Sequence, residues 1–246
     1  MSAALNEPAI AFETYYREAT ALGYVGASAE AWAADKVRES GAPKRKQLGA
    51  LMTTHFAALS WVVPGVIPEG TTLLVAPPKA GKSWLTLDIA LACATGGNAL
   101  GSIFTGRPRP VLYLDLESGE RRLQARVRAQ GWRDFGAFEY LTERDSALAE
   151  LERFMTANKG KRPLAVVDTL AAVQGDRPST RSAYRHDYES LAPFQRLTKA
   201  DPGSAIIVVH HTRKAAGSDP MDSISGTNGL AGAVDTPIVL ARPDRQ

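Results

Sequence analysis

The sequence predicts an α/β fold in which a mainly parallel central sheet is flanked by helices and preceded by a short helical N-terminal segment. Three observations carry that expectation. Apolar runs at 72–75, 111–114, 164–167, 205–209 and 237–240 are continuous rather than alternating, which suits strands buried on both faces. Helix-like stretches near 82–95, 119–130, 146–158 and 183–199 separate them, and strand–helix alternation builds parallel sheets. The first 50 residues differ in texture, being rich in Ala and Glu and poor in β-branched residues.

The 246 residues suffice for one domain, or one domain with an appendage, and for a sizeable core. With 44% hydrophobic and 22% charged residues, the composition excludes a wholly disordered chain. One cysteine, Cys93, excludes an internal disulfide and any zinc site of several cysteines. The most apolar stretch, Leu85 to Thr95, is interrupted by Asp88, and no run approaches the ~18–20 residues of a membrane helix. The N-terminus lacks the basic and apolar regions of a signal peptide. The expectation is a soluble, cytoplasmic protein with no membrane partner. A net charge of +3 permits nucleic-acid binding without arguing for it.

Taken in order, Asn6-Glu7-Pro8 opens a helix that Gly23 ends, and Ser28 caps a second that ends near Gly41-Ala42-Pro43. Lys44-Arg45-Lys46 then forms a basic linker. Residues 1–50 read as a helical appendage, for packing or for partner binding, and 51–246 as the core. On the later helices, Leu123 and Val127 share one face, as do Leu148, Leu151 and Met155.

The first apolar run leads into Ala76-Pro77-Pro78-Lys79-Ala80-Gly81-Lys82-Ser83, followed by Trp84 and a helix. This is G-x-x-x-x-G-K-[ST] with Ala76 in place of the first glycine. Loop and helix-start N–H groups converge there on one concavity suited to a phosphate chain. Gly81 allows close backbone approach, Lys82 reaches the β- and γ-phosphates, and the Ser83 hydroxyl can ligate Mg²⁺. Ala76 forbids nothing unless that position needs a positive φ.

Carboxylates follow two other runs. Asp168 after Leu164–Val167 has the Walker B form, a Mg²⁺ ligand directly or through water. Asp115 and Glu117 after Val111–Leu114 share a face if the strand continues. Glu117, nearer the strand end, is favoured for orienting or deprotonating a water, and Asp115 for a structural hydrogen bond. His210 and His211 end the fourth run and point to opposite faces, so they do not chelate one metal together. One of them suits a γ-phosphate sensor. Ser223 to Asp235 is small and Gly-rich, either a mobile loop or a tight backbone-packing segment.

Pro78 to Trp84, Val111 to Glu117, Val167-Asp168-Thr169-Leu170, Val209-His210-His211-Thr212-Arg213-Lys214, and Ser225-Gly226-Thr227 through Asp235 occur in an order that resembles the RecA-like P-loop ATPases of the RepA/DnaB type (AAA_25-like), often encoded by phages and plasmids. The resemblance covers roughly 59–246. It implies a RecA-like core that binds ATP and Mg²⁺, works as a homo-oligomeric ring, expected as a hexamer, and acts on single-stranded DNA in replication or recombination, often as a helicase. Glu117 then matches the water-activating residue and Asp168 the Walker B acid. His211 best matches the γ-phosphate sensor, with His210 second, and Lys82 completes the catalytic set. Two pore loops, roughly 173–187 and 212–224, would touch DNA through Arg177, Arg181, Tyr184 and Arg185, and through Arg213 and Lys214. Asp176, Asp187, Asp219 and Asp222 dilute their charge. Family members usually continue with more strands where this sequence stops at Gln246. Arg242 or Arg245 would be the arginine finger offered to a neighbouring subunit. The rival readings are a nucleotide-switched DNA-binding or assembly protein with little turnover, and a small-molecule P-loop kinase.

Overall fold

The computed structural model describes residues 7–41, 47–174, 182–211 and 229–241. The chain divides into two compact units, Met1–Ala57 and Ala58–Gln246.

The first unit contains α1 (Glu7–Ala21), α2 (Ala27–Gly41) and the short α3 (Leu48–Met52). Helices α1 and α2 pack together. Ala19, Ala29 and Ala33 are buried, small side chains that allow close approach. Ser28 lies one residue inside α2 rather than at its N-cap. Its hydroxyl accepts the Val25 N–H at 3.2 Å and donates to the Val25 carbonyl at 2.7 Å, which closes the preceding turn. The basic linker Lys44-Arg45-Lys46 lies outside the described residues.

The second unit runs β1 (Trp61–Val63), β2 (Ile67–Pro68), β3 (Gly70–Ala76), α4 (Lys82–Thr95), β4 (Asn98–Ala99), β5 (Ile103–Phe104), β6 (Val111–Asp115), α5 (Glu120–Ala129), β7 (Phe138–Leu141), α6 (Ala147–Ala157), β8 (Leu164–Asp168), α7 (Leu170–Val173), α8 (Ala183–Ala200), β9 (Ala205–His211), α9 (Gly229–Gly232) and β10 (Thr236–Val239). Six strands form one sheet in the order β10-β3-β9-β8-β6-β7, and every neighbouring pair is parallel. Two small antiparallel pairs, β1–β2 and β4–β5, stand apart from it.

Strand alternation sends side chains to two cores. Leu74, Val111, Tyr113, Val166, Ile207 and Val209 pack with Leu87, Leu91 and Leu123 of α4 and α5. Leu73, Val75, Leu114, Val167, Ile206 and Val208 pack with Leu151, Phe154 and Leu191 of α6 and α8. Burial on both sides explains why these strands read as unbroken apolar runs.

Some local details differ from expectation and others are filled in by the structure. Leu148 is 40% exposed, and the buried stripe of α6 is Ala147, Leu151, Phe154 and Met155, because the face turned to the sheet runs through 147, 151 and 154 and leaves Leu148 beside it. Strand β7 was not anticipated. At the sheet edge Phe138 and Leu141 are half-buried while Glu139 and Tyr140 are exposed, and four residues are too few for a periodic signal. Strand β10, expected over 237–240, runs Thr236–Val239, and among the described residues it pairs with β3 at the sheet edge, where Pro237 with no N–H to donate is tolerated. Of the Ser223–Asp235 stretch, the described part buries Gly229, Leu230 and Ala233. Asp235 Oδ2 accepts the Thr71 N–H at 2.8 Å, and a Cβ on Gly70 would lie 2.6 Å from that same oxygen.

Candidate active site

The parallel register brings chain-distant residues to one end of the sheet. Ala76 is level with His211, and Asp115 with Asp168, at the C-terminal ends of β3, β9, β6 and β8. Open parallel sheets present their ligand crevice at this end.

Between β3 and α4 the chain turns through Pro77–Gly81. Ala76, the non-glycine position of the motif, is a buried strand residue without positive φ, which explains why alanine serves there. Gly81 is the N-cap of α4 with φ 98 and ψ 11. A Cβ there would meet no protein atom within 4 Å, so within the protein it is the positive φ that calls for glycine. Helix α4 starts at Lys82, and the first N–H groups of a helix have no partner within it.

Lys82 is 5% exposed. Its Nζ donates to the Ala76 carbonyl at 2.8 Å, the Pro77 carbonyl at 3.0 Å and His211 Nδ1 at 3.0 Å. A protonated amine has no lone pair, so Nδ1 accepts and the His211 ring carries its proton on Nε2. Burial lowers the Lys82 pKa, while the Asp168 and Glu117 charges oppose that shift.

Asp168 is 3% exposed at the end of β8. Burial pushes its pKa up. A hydrogen bond from the Ser83 side chain opposes this, the Asp115 charge adds to it, the Tyr113 hydroxyl opposes it, and the Glu117 charge adds to it. The Tyr113 hydroxyl donates to Asp168 Oδ2 at 3.2 Å and lies 3.0 Å from Thr86 Oγ1. Tyr113, Thr86 and Ser83 therefore hold the Asp168 carboxylate against the first turns of α4.

Strand β6 ends at Asp115, so Glu117 sits in the following turn and does not share a strand face with it, contrary to expectation. The turn is held from several sides. Asp115 Oδ1 accepts the Ser118 N–H at 3.0 Å, and Oδ2 pairs with Arg126 Nη1 at 3.3 Å. The Leu116 N–H donates to the Asp168 carbonyl at 2.8 Å, and Arg144 Nε donates to the Leu116 carbonyl at 2.9 Å. Glu117 Oε1 accepts from the Thr169 hydroxyl at 2.9 Å. Its Oε2 stands 3.8 Å from His211 Nε2, an electrostatic contact too long for a hydrogen bond.

Lys82, Ser83, Asp168, Glu117 and His211 are thus brought together. The Arg185 and Tyr184 positions fall in the first turn of α8, not in a loop as expected, because Ser182 caps that helix through the Arg185 N–H. Arg185 pairs with Glu189 at 2.8 Å. Arg177, Arg181, Arg213, Lys214, Arg242 and Arg245 lie outside the described residues. Sequence reasoning missed Tyr113, Thr86, Thr169, Arg126 and Arg144. Only Thr169, adjacent to Asp168, and Thr86, one turn after Lys82, carried a positional signal.

A family model for the AAA domain, AAA_25, matches residues 38–217. The chain belongs to the AAA_25 family. Among solved structures, this AAA-domain chain is similar to an ATPase domain, with a TM-score of 0.53 and 12% identity over 72% of this chain and 70% of that one. It is also similar to a DnaB-like replicative helicase described with its interactions with primase, with a TM-score of 0.58 and 13% identity over 97% of this chain. The AAA-domain chain spans 66% of that helicase's length. At such identities the likeness establishes the RecA-like fold. Family membership and fold together make the chain a nucleotide-hydrolysing protein built on a RecA-like core. Among the described residues, no helix is long and apolar enough to cross a membrane.

Proposed function

We propose that this AAA_25-family chain is a Mg²⁺-dependent ATPase that couples hydrolysis to binding of, or movement along, single-stranded DNA in replication or recombination, working as a homo-oligomeric ring in the manner of RepA/DnaB-type helicases. One observation carries the reading: Lys82, Ser83, Asp168, Glu117 and His211 converge beside a phosphate loop at the C-terminal end of a parallel sheet.

In this reading the N–H groups of Pro77–Trp84 other than prolines receive the phosphate chain, contributed by Lys79, Ala80, Gly81, Lys82, Ser83 and Trp84, while Pro78 shapes the loop. Lys82 exchanges its carbonyl partners for β- and γ-phosphate oxygens. The Ser83 hydroxyl and Asp168 carboxylate are hard oxygen donors already bonded to each other, and they are the residues that would hold Mg²⁺. When bound, Mg²⁺ neutralises charge on the β- and γ-phosphate oxygens. Glu117, half in solvent and held by the Thr169 hydroxyl, aligns the attacking water for in-line displacement. Lys82 and His211 stabilise the charge that develops on the γ-phosphoryl group. Their direct hydrogen bond would be exchanged for phosphate contacts, which gives His211 a route to report γ-phosphate along β9 into the chain beyond it.

The DNA reading draws support from the segments that follow β8 and β9, which leave the sheet at the same end as the phosphate loop. Arg177, Arg181, Arg185, Arg213 and Lys214 are the proposed contacts, with Arg242 or Arg245 as the finger reaching a neighbouring subunit. The test is steady-state ATP hydrolysis with Mg²⁺, with and without single-stranded DNA, with Lys82→Ala as the blank. Turnover stimulated by DNA and absent in the blank is expected. Tight ATP binding without turnover, unchanged by DNA, would replace the motor with a nucleotide-switched binding protein.

A further inference from the structure

The phosphate-loop reading leaves open where the nucleoside goes, and the inference here rests on that reading. Lys82, Asp168, Glu117 and His211 gather over the strand ends and define the γ-phosphate side. A triphosphate seated with that polarity directs its nucleoside away from them, past the first turn of α4.

Trp84 is the third residue of that turn. Helical side chains lean toward the N-terminus of their helix, so each covers the turn before its own Cα. For Trp84 the preceding turn is the phosphate loop itself. The indole belongs to neither core. Trp84 is 45% exposed, whereas Thr86, Leu87 and Ile89 to Ala94 of the same helix are buried. Its backbone is anchored from the C-cap of α5, where the Gln130 side-chain amide donates to the Trp84 carbonyl at 2.8 Å. A large aromatic side chain is therefore left open to solvent on the first turn of α4, with its backbone tied down and its lean toward the phosphate loop.

We propose that the Trp84 indole is the platform on which the nucleobase of the bound triphosphate stacks, and that the ligand class is purine nucleoside triphosphates. Stacking uses the π face common to all bases, so it discriminates weakly between adenine and guanine. Purines, with the larger face, are held better than pyrimidines.

The experiment is calorimetric titration of the full chain, in Mg²⁺, with ATP, CTP and inorganic tripolyphosphate, using the wild type, Trp84→Ala and Trp84→Phe. Alanine at an exposed helical position has the best helix propensity, so the fold is kept. Trp84→Ala is expected to weaken ATP about 5- to 100-fold, the range of one base–aromatic stack. Tripolyphosphate affinity should stay within about twofold. The ATP-over-CTP preference should shrink toward unity, and Trp84→Phe should restore most of the ATP affinity. ATP affinity unchanged in Trp84→Ala would overturn the platform, as would an equal loss of ATP and tripolyphosphate, since the side chain would then only shape the loop. A wild type that binds ATP no better than tripolyphosphate, with both lost in Lys82→Ala, defeats the platform and leaves the phosphate loop standing. A wild type that binds neither defeats both.

Discussion

Replacing Arg126 with methionine tests whether the turn that carries Glu117 is held through a buried ion pair. Asp115 has a fully buried side chain, and its carboxylate is met by one neutral donor, the Ser118 N–H, and one charged donor, Arg126 Nη1. Arg126→Met keeps the stem that packs along α5 and removes the charge. A buried carboxylate left without its partner costs about 3–5 kcal/mol. Arg126 is 14% exposed at its side chain, so some water can reach the site, and the lower end, about 3 kcal/mol, is expected. For a unit of this size that corresponds to a Tm lower by about 6–12 °C. Thermal denaturation followed by circular dichroism measures it. Asp115→Asn combined with Arg126→Met removes both charges and should recover most of the loss, because the asparagine amide oxygen can still accept the Ser118 N–H. The single variant should also loosen Glu117, lowering kcat at least about tenfold with little change in KM. A Tm within about 2 °C of wild type, with unchanged kcat, would refute the claim that this pair holds the turn.

Three further outcomes are expected. Glu117→Gln should lower kcat by about 10²- to 10⁴-fold while calorimetric ATP affinity stays within about twofold, and full activity would remove Glu117 from the water-aligning role. Asp168→Asn should be the more stable protein at neutral pH, since burial raises the Asp168 pKa above 3.8. Below that value both states hold the proton and the two proteins differ little. As pH rises past it, the unfolded state releases the proton first, so wild-type stability falls until the raised native pKa is passed. The Tm gap in favour of the asparagine variant should therefore open upward from about pH 4 and then level off, and a gap that closes with rising pH would contradict the assignment. Gly70→Ala should lower Tm by about 4–12 °C, from about 1–2 kcal/mol for a Cβ at positive φ and about 0.5–1.5 kcal/mol for the displaced Asp235–Thr71 bond. A shift under about 2 °C would mean that Asp235 moves aside freely.

Much of the sheet was legible because its strands are buried on both faces. Leu73 to Val75, Val111 to Leu114, Leu164 to Val167 and Ala205 to Val209 have no solvent side to dilute their apolarity. Helices α4, α5, α6 and α8 were found within a residue or so of their ends, since they fill the stretches between the apolar runs. Strand β7 escaped because half-burial at an edge leaves a weak pattern in four residues. Glu117 was identified for its place after a strand, yet its turn is set by Asp115, Arg126 and Arg144, which come from three separate stretches of chain. No spacing rule connects Arg144 to Leu116.

The sequence alone determined the fold class, the phosphate loop and the acids that follow the strands. Those features are local: a run of apolar residues, a glycine that tolerates positive φ and a carboxylate at a strand end each announce themselves within a few positions. Only the tertiary structure decided which partners hold them. The parallel register set His211 beside Lys82, the packing of α4 on β6 and β8 put the Tyr113 hydroxyl against Asp168, and the return of α5 pinned the carbonyl of Trp84. These are contacts between residues 46 to 129 positions apart. They exist because burying two faces of one sheet fixes every element against it at once, and that closure is not written in any single stretch of the chain.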